Sequence, residues 1–222
     1  MRRPRIAVVN HQAANIHSVA KALEKTGADV PVTVDAKELA RADGAVLPGV
    51  GASDAAMRAL GRLGLVEPLK EFARSGRPLL CVCLGMQLLF PHSDEGRLPG
   101  LGLLEGNVRR FSDDMPGGAG GGRLKVPHMG WNSVTLAGEE GTRHPVFEGI
   151  GQGEHFYFVH SYYCVPSDAG AVAATARYGV EFCAAVAWGA VIGTQFHPEK
   201  SGALGLRVYE AFARYVAGLS GR

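Results

Sequence analysis

Short β-branched runs alternate with segments of helical period through the first ninety or so positions of the chain. Ile6-Ala7-Val8-Val9 reads as a strand, and Ile16, Val19, Ala20 and Leu23 then fall at i, i+3, i+4 and i+7 on one helix face, with Gly27 as the stop. Val30 to Val34 is a second strand candidate. Ala45-Val46-Leu47 is a third, running into Pro48-Gly49-Val50-Gly51, a turn whose glycines accept backbone angles and close approaches barred to other residues. Ser53 or Asp54 is placed to cap a helix carrying Met57 and Leu60, and Val66, Leu69, Phe72 and Ala73 mark another that ends at Gly76. Beyond Phe90 the connections become rich in Pro and Gly, and Gly117 to Gly122 reads as a mobile surface loop. Ser133 to Leu136, Phe156 to Val159, Ala171 to Ala176, Ala184 to Ala187 and Val191 to Phe196 follow as short strands, several joined by tight turns and so antiparallel. Leu204, Val208, Phe212 and Tyr215 space out a closing helix. The pattern predicts one α/β domain over residues 1–222: a doubly wound, mostly parallel sheet with helices on both faces and antiparallel strands in the C-terminal half.

One stretch stands out, Leu79-Leu80-Cys81-Val82-Cys83-Leu84-Gly85-Met86-Gln87. Pro78 opens an apolar run that breaks at a Cys and a Gly just where a second apolar segment begins, as expected of a buried strand turning sharply into a helix. A thiol at such a turn has its back to a helix N-terminus, whose free N–H groups favour the thiolate and can receive a developing oxyanion. This is the layout of a nucleophile elbow with Cys83 in the place of serine. A Cys on an apolar strand, taken alone, is a core residue; the elbow reading needs partners elsewhere.

The run Gln195-Phe196-His197-Pro198-Glu199-Lys200 supplies them. A histidine at a strand end, followed by Pro and with a carboxylate two residues on, suits a general base for a thiol, with Glu199 orienting the imidazole. Composition adds little against this. The 222 residues carry a formal charge of +2 with no basic block, so neither nucleic acid nor a membrane surface is expected as a partner. The four cysteines, 81, 83, 164 and 183, lack a secreted-scaffold spacing and are expected as reduced thiols in a cytoplasm. Ile6 to Val9 is too short an apolar run for a signal peptide or spanning helix.

Together Pro48-Gly49-Val50-Gly51, Cys83-Leu84-Gly85-Met86-Gln87 and His197-Pro198-Glu199-Lys200 resemble the class I (triad) glutamine amidotransferases over nearly the whole chain. Within that class Pro127-His128-Met129-Gly130-Trp131-Asn132 and Tyr157-Phe158-Val159-His160-Ser161-Tyr162 are similar to the glutaminase subunits of imidazole glycerol phosphate synthase, from histidine biosynthesis. The resemblance implies a flavodoxin-like fold and hydrolysis of L-glutamine through a thioester. It implies Cys83 as nucleophile, His197 as base and then acid, and Glu199 as orienting carboxylate. Leu84 N–H, with one from Val50 or Gly51, would hold the oxyanion; Gly49, Gln87, Ser161 and Tyr162 would line the glutamine subsite. Asn15, Trp131, Asn132, Tyr157 and Lys200 match positions that face the synthase partner, where ammonia leaves. The implied partner is a separate (β/α)8-barrel cyclase, paired as a heterodimer. No cofactor and no metal are implied, and His128 is read as structural.

Two departures from the family pattern are visible. The position two before the nucleophile, usually Gly, is Cys81, and the loop Asn10-His11-Gln12-Ala13-Ala14-Asn15 keeps only the final Asn of the family's Asp-Tyr-Gly-x-Gly-Asn. Two further readings stand beside the first: a related amidotransferase feeding another synthase, and a non-catalytic scaffold or metal-binding module built on Cys81 and Cys83. The close Cys pair lacks the paired spacing of a structural zinc site.

Overall fold

Ile6–Val9, four consecutive buried residues, forms the strand β1 on which the parallel half of the sheet is built. A computed structural model describes residues 3–11, 15–117 and 122–220. After β1 come α1 (Ile16–Glu24), β2 (Val32–Thr33), α2 (Ala36–Ala40), β3 (Gly44–Gly49), α3 (Ser53–Arg62), α4 (Val66–Arg74), β4 (Leu79–Cys83) and the single turn α5 (Leu84–Gln87). The second half contributes β5 (His92–Ser93), β6 (Gly106–Arg110), β7 (His128–Leu136), β8 (Glu154–His160), β9 (Tyr162–Pro166), β10 (Val172–Tyr178), β11 (Val180–Trp188), β12 (Val191–Thr194) and α6 (Gly202–Ser220).

The sheet order is β2-β1-β3-β4-β12-β11-β10-β7-β8. Pairing is parallel from β2 through β12 and antiparallel from β12 through β8. A side branch carries β9, which meets β11 where Cys164 lies opposite Cys183, and then β6 and β5. Burial on both faces explains the continuous apolar runs in β1, β3, β4 and β12. Val8, Leu80 and Val82 pack with α1 and α6 residues such as Leu23, Val208 and Phe212. Val9, Leu47, Leu79 and Cys81 pack on the other face with Met57, Leu60, Leu69 and Phe72 from α3 and α4.

Several boundaries differ from expectation. Pro48 and Gly49 complete β3 and do not begin a turn: the last β1 partner of β3 is Val46, so the missing N–H of Pro48 interrupts no ladder on that side. The Pro48 carbonyl is met there by His11 Nε2 at 2.7 Å. Neither Ser53 nor Asp54 caps α3, whose N-cap is Ala52. Asp54 Oδ1 instead accepts from the N–H groups of Arg97 and Leu98, both at 2.9 Å, tying a later loop to the helix. The second strand shrinks to Val32–Thr33, whereas the 133–136, 156–159, 171–176 and 184–187 segments lengthen or shift to β7, β8, β10 and β11; β12 stops at Thr194. The helix α2, capped by Asp35 accepting from Lys37 N–H, and the strands β6 and β9 were not expected. Of the Gly117–Gly122 loop, residues 118–121 lie outside the described residues, as do 12–14 of the Asn10–Asn15 loop.

Two glycines let the elbow close. A Cβ on Gly49 would come within 2.9 Å of Leu84 Cβ, and one on Gly85 within 2.0 Å of the Leu47 carbonyl oxygen, a backbone atom fixed inside β3. Gly85→Ala is therefore expected to cost roughly 3 kcal/mol or more, since a packed core yields little to added volume. For a chain of this size that is a fall of roughly 6–12 °C in melting temperature. Gly61→Ala, in α3 with open space at its Cβ, serves as the control and is expected to raise stability slightly; equal melting temperatures for Gly85→Ala and wild type would refute the packing argument.

Candidate active site

Cys83 ends β4 with φ 55° and ψ −109°, and it is the one residue other than glycine with positive φ among the described residues. That region costs an L-residue on the order of 1–3 kcal/mol and persists only where neighbours enforce it. Here β3 and β12 flank β4, with Gly49 opposite Cys83 and Thr194 opposite Val82. The turn lifts the sulfur out of the sheet at the carboxyl ends of the parallel strands. It opens into a cleft of about 520 Å³. The first N–H groups of α5, beginning at Leu84, have no acceptor within the helix and face the same end.

His197 follows β12, where its N–H donates to the Tyr157 carbonyl at 2.9 Å and its own carbonyl accepts from Ser201 Oγ at 2.7 Å. Its Nδ1 donates to Glu199 Oε1 at 2.8 Å, with both side chains almost wholly buried. Nε2, at the other edge of the ring, is buried and has no hydrogen-bond partner of good geometry among the described residues. Burial pushes the imidazole down, but the Cys83 sulfur and then Glu199 outweigh it, and the pKa is raised to about 10. Glu199 Oε2 accepts a long contact from the buried Tyr209 hydroxyl at 3.4 Å.

The cleft wall on the β9 side is set by hydrogen bonds. Gln87 Nε2 donates to the Tyr162 carbonyl at 3.0 Å and to Gln195 Oε1 at 3.1 Å, and Gln195 Nε2 lies 3.6 Å from Cys83 Sγ. The Tyr162 carbonyl also accepts from His160 Nδ1 at 2.8 Å. With Nδ1 donating, His160 Nε2 must accept, so His128 Nδ1 donates to it at 2.9 Å. His128 Nε2 then accepts from Asn132 Nδ2 at 3.3 Å. Burial keeps both rings neutral, lowering His128 to about 4 and His160 to about 3.

Of the sequence-predicted residues, Asn15, Val50, Gly51, Cys83, Leu84, Gln87, Ser161, Tyr162, His197 and Lys200 line the cleft. Gly49 lies beneath it, and Glu199 lies behind His197. Trp131 and Tyr157 face each other across β7 and β8 with ring centroids 6.3 Å apart, and Lys200 Nζ sits 5.6 Å from the Tyr157 centroid, so this trio forms one patch. Asn132 points to the other face of β7, into the histidine chain and toward the Arg177 carbonyl. Sequence reasoning missed Glu95, a carboxylate lining the cleft that accepts from Ser53 N–H at 2.8 Å; Tyr209 behind Glu199; His11 under Pro48; and Gln195. Gln195 stands in plain view beside His197, but only the β12 register aims it at the sulfur. Cys81, by contrast, is fully buried with its thiol pushed well above the usual range. No group of three or more His, Cys, Asp or Glu side chains able to hold a metal ion occurs among the described residues. Nor is any helix among them long and apolar enough to cross a membrane.

A cysteine elbow on a doubly wound sheet, backed by a buried His-Glu pair, agrees with the family comparison: the glutamine amidotransferase class-I model matches residues 7–213, and the chain belongs to that family and is an enzyme of that class. Within the class it is similar to imidazole glycerol phosphate synthase subunits HisH. It is 49% identical over 208 residues to that of Syntrophotalea carbinolica, covering 93% of this chain and 98% of the relative. With that of Geobacter sulfurreducens it shares 46% identity over 209 residues, covering 94% and 97%. Among solved structures, PurLQS from Thermotoga maritima superposes with a TM-score of 0.72 at 20% identity, over 96% of this chain and 99% of that one. A glutamine amidotransferase from the same organism does so at 0.64 and 14%, over 99% of this chain and 86% of that one. At such identities these two establish the shared fold.

The histidines make a pH prediction. His128 and His160 have folded pKa values below the unfolded 6.5, so their contribution is complete above pH 6.5 and is lost as pH falls toward about 4 and 3. His197 has the opposite sign: its contribution is complete below 6.5 and is lost as pH rises toward about 10. Urea unfolding between pH 6.5 and 5, where carboxylates add little, should show stability falling with acidification by up to ~1.4 kcal/mol per pH unit for each of His128 and His160. Stability that rises on acidification across that window would contradict neutral burial.

Proposed function

We propose that this chain, as one amidotransferase domain, hydrolyses L-glutamine to glutamate and ammonia with Cys83, His197 and Glu199, and passes the ammonia to a separate cyclase subunit of (β/α)8-barrel fold. The observation that carries the reading is the sulfur at a strained strand-to-helix turn, in a cleft it shares with an imidazole tied to a buried carboxylate. In the first step Sγ of Cys83, its proton held on His197 Nε2, attacks the side-chain carbonyl carbon of glutamine. The oxygen takes the charge and is met by N–H groups of Leu84 and of the Val50-Gly51 segment. Collapse breaks the C–N bond while His197 protonates the leaving amine, giving ammonia and a thioester. Water, deprotonated by His197, then releases glutamate and restores the thiol.

Substrate recognition follows from the groups that face the cleft. Both Gln87 hydrogens are engaged, which leaves its Oε1 as an acceptor for the α-ammonium, and Glu95 supplies a counter-charge to the same group. Ser161 and Tyr162 border the carboxylate end. The HisH relatives are named as subunits of imidazole glycerol phosphate synthase, which favours a cyclase making imidazole glycerol phosphate and AICAR as the acceptor. The exposed Trp131, with Tyr157 and Lys200 beside it, is the natural place for that partner to dock.

Cys83→Ala is expected to reduce glutamine hydrolysis to background, while Cys81→Ala keeps most of it. A glutamine-derived electrophile such as diazo-oxo-norleucine, followed by peptide mapping, should label Cys83; labelling at Cys81 would overturn the assignment. A second expectation arises from Gly49-Val50-Gly51, where a flanking Gly51 at φ +86° leaves the Val50 peptide free to turn. A partner with its ligand bound biases that peptide toward presenting its N–H, and one oxyanion donor is worth roughly 100- to 1,000-fold in rate. Hydrolysis should therefore be slow for the chain alone and rise by at least ~100-fold with the cyclase and its nucleotide substrate. Equal rates in both conditions would remove the gating and leave the triad untouched.

A further inference from the structure

We propose that Gln195 is a catalytic residue whose side-chain N–H holds the Cys83 sulfur, its amide locked in the donating orientation by the Tyr162 carbonyl acting through Gln87. The inference rests on the reading of Cys83 as nucleophile.

A carbonyl has no hydrogen to give. The Tyr162 oxygen can only accept, so the end of Gln87 that lies 3.0 Å from it must be Nε2. The second hydrogen on that nitrogen is directed at Gln195, 3.1 Å away, and the atom receiving it must be an acceptor, Oε1. The other end of the Gln195 amide is then Nε2, and it is this end that stands 3.6 Å from Cys83 Sγ. Turning Gln195 over would set oxygen against the sulfur and leave two N–H donors facing each other in a fully buried site. The carbonyl that starts the sequence is itself anchored, since it also accepts from His160 Nδ1 at 2.8 Å.

The backbone fixes the reach. Thr194 is opposite Val82 in the parallel ladder, so the residue that follows β12 lies alongside Cys83, and Gln195 N–H donates to the Ala184 carbonyl at 2.8 Å. The sulfur therefore has a partner in either protonation state. As a thiol it points a hydrogen at the Val159 carbonyl, 4.0 Å away; as a thiolate it accepts from Gln195. No proton leaves the amide: the thiol proton still travels to His197, and Gln195 keeps the charged sulfur aimed into the cleft. Because Gln87 is shared between substrate and Gln195, glutamine bound at Gln87 Oε1 steadies the donor that holds the nucleophile.

The test uses the complete chain. Cys83 alkylation by iodoacetamide is followed at pH 7 with peptide mapping, and glutamine hydrolysis is measured with the cyclase present. Gln195→Met keeps the shape and removes the donor; Gln195→Leu removes it with a branched apolar side chain of similar volume. Both are expected to slow alkylation by ~10- to 100-fold, the range for a hydrogen bond to a charged group, and to lower kcat by a similar factor with KM changed less than about 3-fold. In wild-type protein the Gln195 side-chain amide resonances should move when Cys83 is replaced by Ala, a readout that needs no change at Gln195. Alkylation of Cys83 at the wild-type rate in both variants, or Gln195 resonances indifferent to Cys83→Ala, would overturn the proposal. Failure of wild-type Cys83 to accept a glutamine-derived electrophile would instead sink the nucleophile assignment on which it rests.

Discussion

The rest of the site depends on one backbone conformation, that of Cys83. A strand residue forced to positive φ must be held from outside, and the sheet does this by burying β4 between two parallel neighbours while two glycines let β3 and α5 approach to contact distance. The strain places a small side chain where strands end and helix N–H groups begin. A chain that could relax Cys83 into ordinary β geometry would bury the sulfur in the sheet, as Cys81 is buried one pleat earlier. The same strand thus carries two thiols with opposite fates, and the difference is one residue's dihedral angles.

Around this point the protein sets two kinds of histidine. His197 is paired on one edge with Glu199 and stands near the sulfur on the other, so that opposite charges outweigh its burial and raise its pKa. His128 and His160 sit in a cage of Phe111, Phe158, Tyr178 and Phe182, and both are pushed downward: His128 by burial, His160 first by burial and then by the charge of the neighbouring imidazoles His128 and His197, against the upward pull of the Tyr162 carbonyl. Exposure does not separate the two kinds, since all three side chains are buried. Negatively charged partners do: His197 has the Cys83 sulfur and then Glu199 beside it.

Much of this was legible in the chain because the informative signals were local. The elbow is a strand, a cysteine and a glycine in succession, and the His-Pro-Glu run carries the imidazole and the carboxylate it donates to within three positions. The helices α3, α4 and α6 announced themselves by period. What escaped was either short or made by pairing at a distance. α2 spans five residues, and β6 has Val108 as its single apolar residue, too little for a periodic signal. Ser53 and Asp54 looked like caps by residue type, yet the loop at residues 95–98 took their neighbourhood for its own hydrogen bonds. Tyr209 sits one place from Val208 on a helix read for its apolar stripe, and nothing in the sequence says its hydroxyl meets Glu199. Glu95 and His11 reach the site only because loops from separate strands converge there.

The chain of hydrogen bonds from Asn132 through His128 and His160 to the Tyr162 carbonyl has a further consequence. Every link gives its hydrogen in the same direction, and the line ends on an oxygen that already receives two. For a proton to cross it, each ring would have to reverse tautomer and the last atom would have to release a hydrogen it does not possess. The line is a one-way street with a closed end: it transmits orientation and insulates against charge. Along this line the cleft receives no proton from the β7 side.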